Sequence, residues 1–299
     1  MYKNPYQHAL DGNFQPYKTN FHTHCGLERG EFTCGELPLA DVLYAYERNG
    51  YHVLCVSNHD EYTDTRNVPT GLSLIQGVEY SVDPHMLTIG VQQALEGSHQ
   101  SVVDQANALG GFVILCHPNW QNRNYWSTDA LCRLKGYTGI EIVNSVIYEL
   151  EGSGVATDKW DTLLSEGRLV WGFGNDDFHF WQNLARTWNV IYAASPSYED
   201  IKSAVQKGRF YVSTGLCLQN IKLEDNILCV HVCPPITCYP LEYLFRVVGE
   251  GGKVLCEHRG SHLEYTIPEG EKYVRVEASM ENGAMLFLQP IYQESQFDC

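Results

Sequence analysis

The chain has 299 residues, a length that fits one large domain with a smaller one attached. Hydrophobic residues make up 44% and charged residues 19%, as in an ordinary folded globular protein, and the formal net charge of −16 argues against a broad face for nucleic-acid phosphates. A small anionic substrate is still compatible with this charge, because bound divalent cations reverse the sign of the local field.

No apolar run near the N-terminus has the length of a signal peptide, and no later stretch is long and apolar enough to span a membrane. We therefore expect a soluble, cytoplasmic protein. The 11 cysteines are irregularly spaced, and in a reducing compartment most of them would be buried free thiols. Cys229, Cys233 and Cys238 lie close together, but they lack a CxxC pair, so a structural zinc site there is an alternative that the spacing does not favour.

Short apolar strands alternate with amphipathic helices from about residue 17 to residue 213. The predicted strands cover residues 17–21, 52–57, 72–80, 86–89, 112–116, 140–143, 169–173 and 188–193. The predicted helices cover residues 37–49, 101–109, 128–134, 157–166 and 198–207. This alternation argues for a parallel sheet, and the nearly continuous apolar strands require that both of its faces are covered.

About seven such repeats favour a closed or nearly closed α/β barrel over an open sheet, although periodicity alone does not decide between them. After about Gly215 the helical pattern ends, and short runs typical of strands are separated by turn residues. We therefore predict an α/β barrel over residues 1–214 and a small antiparallel, β-sandwich-like domain over residues 215–299.

Histidine and acidic side chains occur where the predicted strands end. They are His22, His24, His59, Glu79, His117, Asp177 and His179. In an α/β barrel the C-terminal ends of the strands share one rim, and active sites are built there. His85 begins the strand at 86–89 and reaches the same pocket if residues 79–85 cross the rim in a tight excursion.

The spacing of these residues suits metal binding. Side chains alternate along an extended segment, so His22 and His24 point to the same side and can bind one ion, and Asp177 and His179 repeat this spacing. The carboxylate of Glu79 can bridge two ions. Imidazole and carboxylate together suit zinc, manganese or iron, and two ions about 3.5–4 Å apart can hold a hydroxide between them. Each motif alone also has a structural interpretation, but their coincidence predicts a metal-dependent hydrolase.

Seven motifs together resemble the polymerase and histidinol phosphatase (PHP) domain, in that family's order and over about residues 17–213. They are FHTH (21–24), SNHD (57–60), GVEYS (77–81), the His of HMLTIG (85–90), CHPNW (116–120), GIEIVN (139–144) and GNDDFH (174–179). The resemblance implies a distorted (β/α)7 barrel. The segments GRFYVSTG, YVRVEAS and LQPIY nearer the C-terminus are similar to carbaryl-hydrolase-like PHP proteins.

The resemblance also implies a trinuclear centre of divalent ions. The first ion would be held by His22, His24, Glu79 and Asp177. A second would be bridged by Glu79 and completed by His85 and His117, and a third would be held by His59 and His179. A metal-bound hydroxide, held by Glu79, Asp177 and His117, would attack a phosphoester.

Two features depart from the family pattern. The usual TDH reads SNH at residues 57–59, so the neutral amide of Asn58 replaces a carboxylate. The segment that follows His24 carries an insertion, so the last ligand of the third ion is open between Cys34, Glu28 and Glu31. The centre is therefore expected to hold two or three ions.

Three arginines follow or adjoin the motif strands, namely Arg66, Arg123 and Arg186. One of them could clamp a substrate phosphate through two parallel hydrogen bonds. The alternative for each is an exposed arginine or a salt bridge.

These observations predict a phosphatase or phosphodiesterase that acts on a small phosphorylated metabolite. A first alternative, drawn from the C-terminal resemblance, is a PHP-type metal hydrolase of a carbamate, ester or amide bond. A second is a non-catalytic PHP-type binding module, motivated by Asn58 and Cys34. The near-complete ligand set disfavours this module, because buried clusters of His and Asp are costly to keep without a metal. No membrane partner is expected, and the sequence leaves the oligomeric state open.

Overall fold

The structure is a computed structural model that describes residues 1–26, 34–234 and 242–297. Glu28, Glu31 and Cys238 lie outside the described residues. Within those three ranges, none of the helices is both long and apolar enough to cross a bilayer.

The described residues up to Ser213 form ten strands and six helices. The strands are β1 (Tyr2–Lys3), β2 (Gln15–Asn20), β3 (Val53–Val56), β4 (Ser73–Tyr80), β5 (Met86–Ile89), β6 (Phe112–Leu115), β7 (Gly139–Asn144), β8 (Trp171–Asn175), β9 (Trp188–Ala193) and β10 (Phe210–Ser213). The helices are α1 (Leu39–Arg48), α2 (His99–Ala108), α3 (Trp120–Arg123), α4 (Thr128–Arg133), α5 (Thr157–Ser165) and α6 (Tyr198–Gln206). Each predicted strand and helix has a counterpart among these elements.

Strands β2 to β8 lie side by side in chain order, and β9 pairs with the free edge of β2. Because β8 also contacts β9, the sheet curls into a barrel-like layer. The ladders β2–β3, β3–β4, β6–β7 and β7–β8 are parallel. The mixed α/β fold with a largely parallel sheet is confirmed, and the seven-fold repeat of a (β/α)7 barrel stays a prediction.

Two strands of this layer run antiparallel to their neighbours, so the expectation of a parallel sheet is only partly correct. Strand β5 is antiparallel to β4 and β6, and β9 is antiparallel to β2. Only residues 81–85 connect β4 to β5. A parallel pair needs a crossover of about a dozen residues or more, so this short loop forces a hairpin. The hairpin turns the N-terminal end of β5 toward the rim at which β4 ends.

Aromatic side chains fill the barrel below that rim. The ring of Phe21 meets the rings of Phe112 and Phe173 edge to face, with centroids 5.6 and 6.0 Å apart, and all three side chains are fully or almost fully buried. This geometry is favourable for aromatic pairs, and the three rings pack the interior beneath the rim.

The backbone ladder of the barrel ends at β8. At the free edge of this strand, side-chain amides take the place of a neighbouring strand. The Asn189 Oδ1 atom accepts a hydrogen bond from Gly174 N–H at 3.0 Å, and its Nδ2 donates to the Gly174 carbonyl at 2.8 Å. Gln289 makes the same pair of bonds with Gly172, at 3.0 and 2.7 Å. Two buried amides thus stand in for a neighbouring strand and satisfy backbone groups that are costly to bury unpaired.

We expect Asn189→Ala to lower the free energy of unfolding by about 1–3 kcal/mol, because the buried N–H and C=O groups of Gly174 lose their partners. Urea unfolding followed by circular dichroism measures the change. The exposed Gln219 provides a control, since Gln219→Ala should leave the unfolding midpoint where it is in the wild type. We call the bonds of Asn189 and Gln289 to Gly174 and Gly172 the amide seam. A wild-type midpoint for Asn189→Ala would show that the amide seam does not depend on Asn189.

Eight further strands follow Ser213 in the described residues. They are β11 (Cys217–Glu224), β12 (Ile227–Cys233), β13 (Tyr243–Val248), β14 (Val254–Gly260), β15 (His262–Thr266), β16 (Tyr273–Ser279), β17 (Met285–Leu288) and β18 (Ile291–Gln293). Their mutual ladders are antiparallel, as predicted. Strand β10 pairs with β9 on one side and β17 on the other, so hydrogen bonding continues from the barrel into these strands. The domain division at residue 214 stays a prediction.

A buried ion pair ties α5 to β16. The guanidinium of Arg275 binds Asp161 through both carboxylate oxygens, with Nε–Oδ1 at 2.7 Å and Nη2–Oδ2 at 2.6 Å. Tyr273 donates its hydroxyl to the same carboxylate at 3.0 Å, and Glu277 also contacts Arg275. Arg275 is only 3% exposed, so its charge depends on these partners for compensation.

Candidate metal centre

The rim collects the predicted ligands from six strands. His22 and His24 follow β2, Glu79 lies near the end of β4, and His85 precedes β5. The other predicted ligands follow β3, β6 and β8. All eight predicted metal ligands lie in this cluster, namely His22, His24, His59, Glu79, His85, His117, Asp177 and His179. His85 belongs to it because β5 runs antiparallel and begins where β4 ends.

Glu79 lies at the middle of the cluster and is fully buried. Five imidazole nitrogens surround its carboxylate, at His22 Nε2 (3.1 Å), His24 Nε2 (3.2 Å), His59 Nδ1 (3.1 Å), His85 Nδ1 (3.0 Å) and His117 Nε2 (3.6 Å). The first three approach Oε2 and the last two approach Oε1. One carboxylate therefore faces two groups of histidines, as a ligand bridging two ions would.

Asp177 provides the second carboxylate of the cluster. Its Oδ1 atom lies 3.1 Å from His22 Nε2, 3.3 Å from His24 Nε2 and 3.4 Å from His179 Nδ1. The backbone at Asp177 has φ 52°, in the left-handed region that non-glycine residues rarely adopt. Such strained positions are concentrated at functional sites, where surrounding structure maintains them.

Several of these buried atoms have no hydrogen-bond partner among the described residues. They are His22 Nε2, both ring nitrogens of His24, His59 Nδ1, His117 Nδ1, Glu79 Oε2 and Asp177 Oδ1. More than nine in ten buried polar groups in native proteins are paired, so an unpaired set at one place requires an explanation. The donor types and their spacing fit divalent metal ions, which would satisfy these atoms together.

Burial and mutual contacts set the protonation of the ligands. Burial alone would raise the pKa of the Glu79 carboxyl, but His22, His117 and His24 hold that pKa well below its usual range. Burial lowers the pKa of His59 to about 4. At neutral pH the carboxylate is therefore charged and His59 is neutral, which are the forms that bind a metal.

A cavity of about 190 Å³ opens onto the cluster. Its inner wall consists of His59, Glu79, His85, His117, Asp177 and His179. Its outer wall consists of Trp120, Val146, Ile147, Leu150 and Phe180. A small molecule in this cavity would contact metal ligands on one side and apolar groups on the other.

No family model matches the chain, and no curated protein sequence matches it significantly. A solved structure does match: a two-domain protein from Bacteroides vulgatus ATCC 8482, described as containing a predicted PHP-like metal-dependent phosphoesterase. The TM-score is 0.53 at 17% identity, over 91% of this chain and 92% of that one. The chain has a PHP-like fold.

Two other solved structures are similar over part of the chain. PsfC from Pseudomonas syringae PB-5123 has a TM-score of 0.44 at 12% identity, over 65% of this chain and 88% of that one. The lesion-specific endonuclease PfuEndoQ from Pyrococcus furiosus has a TM-score of 0.46 at 14% identity, over 64% of this chain and 56% of that one. The PHP-like fold predicted from the motifs is thus confirmed by the longer match, and the carbaryl-hydrolase-like branch stays a prediction.

Glu141 is a residue at the rim whose role the sequence pattern does not reveal. This buried carboxylate in β7 accepts hydrogen bonds from His22 Nδ1 at 2.8 Å and from His117 N–H at 2.9 Å. The amides of Asn144 and Asn175 donate to it at 2.8 and 2.9 Å. Because His22 Nδ1 donates here, its Nε2 lone pair points at the cluster centre. The available signal was an acidic residue inside the otherwise apolar strand GIEIV.

We expect Glu141→Gln to weaken metal binding by about 10–100-fold, the usual cost of losing a group that orients a ligating histidine. Four donors face this carboxylate, so a glutamine amide would turn its own N–H groups toward a donor. Competition with a chromophoric chelator measures the affinity. Glu224→Gln, at an exposed position of β11, should bind metal as the wild type does. Equal affinities for the two variants would contradict a positioning role for Glu141.

Asn58, which departs from the family pattern, connects two segments of the rim. Asn58 Oδ1 accepts a hydrogen bond from Cys25 N–H at 3.0 Å, and its Nδ2 donates to Thr63 Oγ1 at 2.9 Å. The Nδ2 atom also lies 3.4 Å from Cys25 Sγ. Asn58 thus ties the segment after His24 to the loop after His59.

The three candidate arginines lie elsewhere. Arg66 makes a bidentate ion pair with Asp64 at the surface, with Nη2–Oδ2 at 2.6 Å. Arg186 donates to the Gln182 carbonyl at 3.2 Å, and Arg123 is exposed at the end of α3. Among the described residues that line the cavity there is no arginine or lysine. A substrate-binding role for these arginines stays a prediction.

Proposed function

We propose that this protein is a metal-dependent phosphoesterase that hydrolyses a small phosphorylated substrate at the rim of its PHP-like barrel. The observation that carries the proposal is the buried, unpartnered set of histidine and carboxylate atoms around Glu79. The matching fold of the Bacteroides vulgatus protein supports it. The cavity of about 190 Å³ beside these atoms has room for a small phosphorylated molecule.

The ligand groups divide around Glu79. His22, His24 and Asp177 would hold one ion, and His85 and His117 would hold another together with Glu79. His59 and His179 lie on the outer side of His24. When bound, such ions supply positive charge for the phosphoryl oxygens and lower the pKa of a coordinated water.

The protein's own groups would position the reactants. Glu79 Oε2 and Asp177 Oδ1 have no protein hydrogen-bond partner and face the same space, so as ligands they would fix the place of an ion and of the water that it holds. His117 Nε2 lies 3.9 Å from Asp177 Oδ2, and both residues line the cavity. The apolar side chains of Ile147 and Phe180 would exclude bulk water, which strengthens electrostatic interactions at the rim.

The test combines metal content with phosphate release. Purified protein is loaded with zinc, manganese or iron, the ions are counted by mass spectrometry, and phosphate release is measured over a panel of monophosphates and diesters. We expect at least two ions per chain and turnover of one or more small phosphates. A folded protein with two ions per chain and no release from any substrate would refute the proposal.

A second candidate is hydrolysis of a carbamate, ester or amide bond at the same centre. The outer wall of the cavity favours it: the described lining has no lysine or arginine to hold a phosphate, and Leu150 and Phe180 expose apolar surface at its mouth. Phenyl phosphate, phenyl acetate and a phenyl carbamate form a matched panel that differs only at the scissile group. Turnover of the carbamate or acetate without turnover of the phosphate would replace the first proposal by the second.

A further inference from the structure

A second set of donors lies on the outer side of His24. The ligand atoms of His24, Cys34, His59 and His179 all lie within 4.8 Å of one another. Three of these residues are histidines that the sequence predicted as ligands. The fourth is a half-buried cysteine at the edge of the described residues.

The tautomer of His179 directs a lone pair at Cys34. His179 Nδ1 lies 2.8 Å from the Asp177 carbonyl oxygen, which can only accept, so Nδ1 carries the proton. The Nε2 atom is then unprotonated, and it lies 2.7 Å from Cys34 Sγ. A histidine that binds a metal through one ring nitrogen usually donates the N–H of the other to a carboxylate, a backbone carbonyl or water.

His24 points independently to a ligand at this place. Its side chain is fully buried, and neither of its ring nitrogens has a hydrogen-bond partner. Its ring lies between those of His59 and His179, with centroid distances of 4.7 and 4.4 Å. An unsatisfied buried nitrogen among three closely packed imidazoles is costly, and a bound cation would satisfy it.

We propose that Cys34, His59 and His179 bind a zinc ion, with His24 on its inner side, and that the Cys34 thiolate is the last ligand of the third site. Thiolate with imidazole selects zinc over manganese or magnesium, and a tetrahedral set of Cys and His is a common zinc site. On binding, the thiol proton passes to solvent as the sulfur–zinc bond forms. The inference rests on the proposed function only in that the centre binds metal.

Cobalt substitution tests the assignment without a substrate. Bound through a thiolate, Co²⁺ gives a near-ultraviolet charge-transfer band, which imidazole and carboxylate ligands do not give. We expect this band in the wild type, and we expect Cys34→Ser to lose it together with one ion per chain. Cys34→Asp should keep the ion without the band. A half-buried cysteine on α4 provides the matched control, since Cys132→Ser should retain both.

Cys116 is a second thiol near the ligands, grouped with His22 and Glu79. Loss of the band in Cys116→Ser, its persistence in Cys34→Ser, or its absence from the wild type would each overturn the assignment. If Cys34→Ser does not fold, zinc-edge X-ray absorption of Cys116→Ser decides, because a remaining sulfur ligand scatters at about 2.3 Å. A protein that binds zinc through sulfur but releases no phosphate would refute the proposed function and leave this inference intact.

Discussion

Glu79→Gln is expected to lower kcat/KM for the proposed phosphoesterase reaction by well over about 100-fold, the upper end of the loss for a group that merely orients a ligand. Glu79 is in contact with five histidines, and its two oxygens face different groups of them, as a ligand that joins two ions would. A glutamine at this position has one acceptor oxygen and no charge, so the two sites would be uncoupled. Steady-state kinetics and metal counting on the same samples measure the effect.

The matched control is Glu96→Gln, at an exposed position before α2, which should leave both quantities unchanged. Circular dichroism of Glu79→Gln separates loss of metal from loss of fold. A folded Glu79→Gln protein with a full complement of ions and wild-type kcat/KM would show that Glu79 is not the bridging ligand.

Asp161→Ala is expected to lower the free energy of unfolding by about 3–5 kcal/mol, because it leaves the guanidinium of Arg275 buried without its bidentate partner. Asp161 also accepts the hydroxyl of Tyr273, so a second buried group loses a bond. Urea unfolding, with the slope and midpoint fitted together, measures the change. The substitution should lower stability and leave metal binding unchanged, because Asp161 lies outside the ligand cluster.

A double variant checks the physical cause. Asp161→Leu with Arg275→Met removes both charges, and replacing a buried ion pair by apolar groups is often neutral or stabilising. We expect the double variant to recover most of the stability that Asp161→Ala loses. If Asp161→Ala lowers the free energy of unfolding by less than about 1 kcal/mol, then Glu277 alone compensates the buried charge of Arg275. The ion pair between α5 and β16 would then contribute less to stability than its geometry suggests.

The sequence predicted the barrel elements and the ligands for one reason: both have local signals. Strands β3, β6 and β8 are apolar runs followed at once by polar ligand motifs, and this pattern identifies the strand and its C-terminal end together. His85 was predicted from the short interval between Glu79 and the next strand. These inferences needed only residues close together in the chain.

The features that the sequence did not reveal depend on contacts between distant segments. The direction of β9, the role of Glu141 and the amide seam at Gly172 and Gly174 all involve partners far apart in the chain. Asn189 within an apolar strand, or Gln289 after one, has no pattern that indicates its partner. The charge pair of Asp161 and Arg275 is unpredictable for the same reason.

The amide seam connects barrel closure to metal binding. Asp177 and His179 follow β8, whose outer edge is held by two side-chain amides rather than by a ladder. An ion bound by Asp177 together with the histidines after β2 would link β8 to β2 across the barrel, and its binding free energy would add to closure. Chelation should therefore speed hydrogen–deuterium exchange at Gly172 and Gly174 first, while the laddered strands β3 and β6 stay protected.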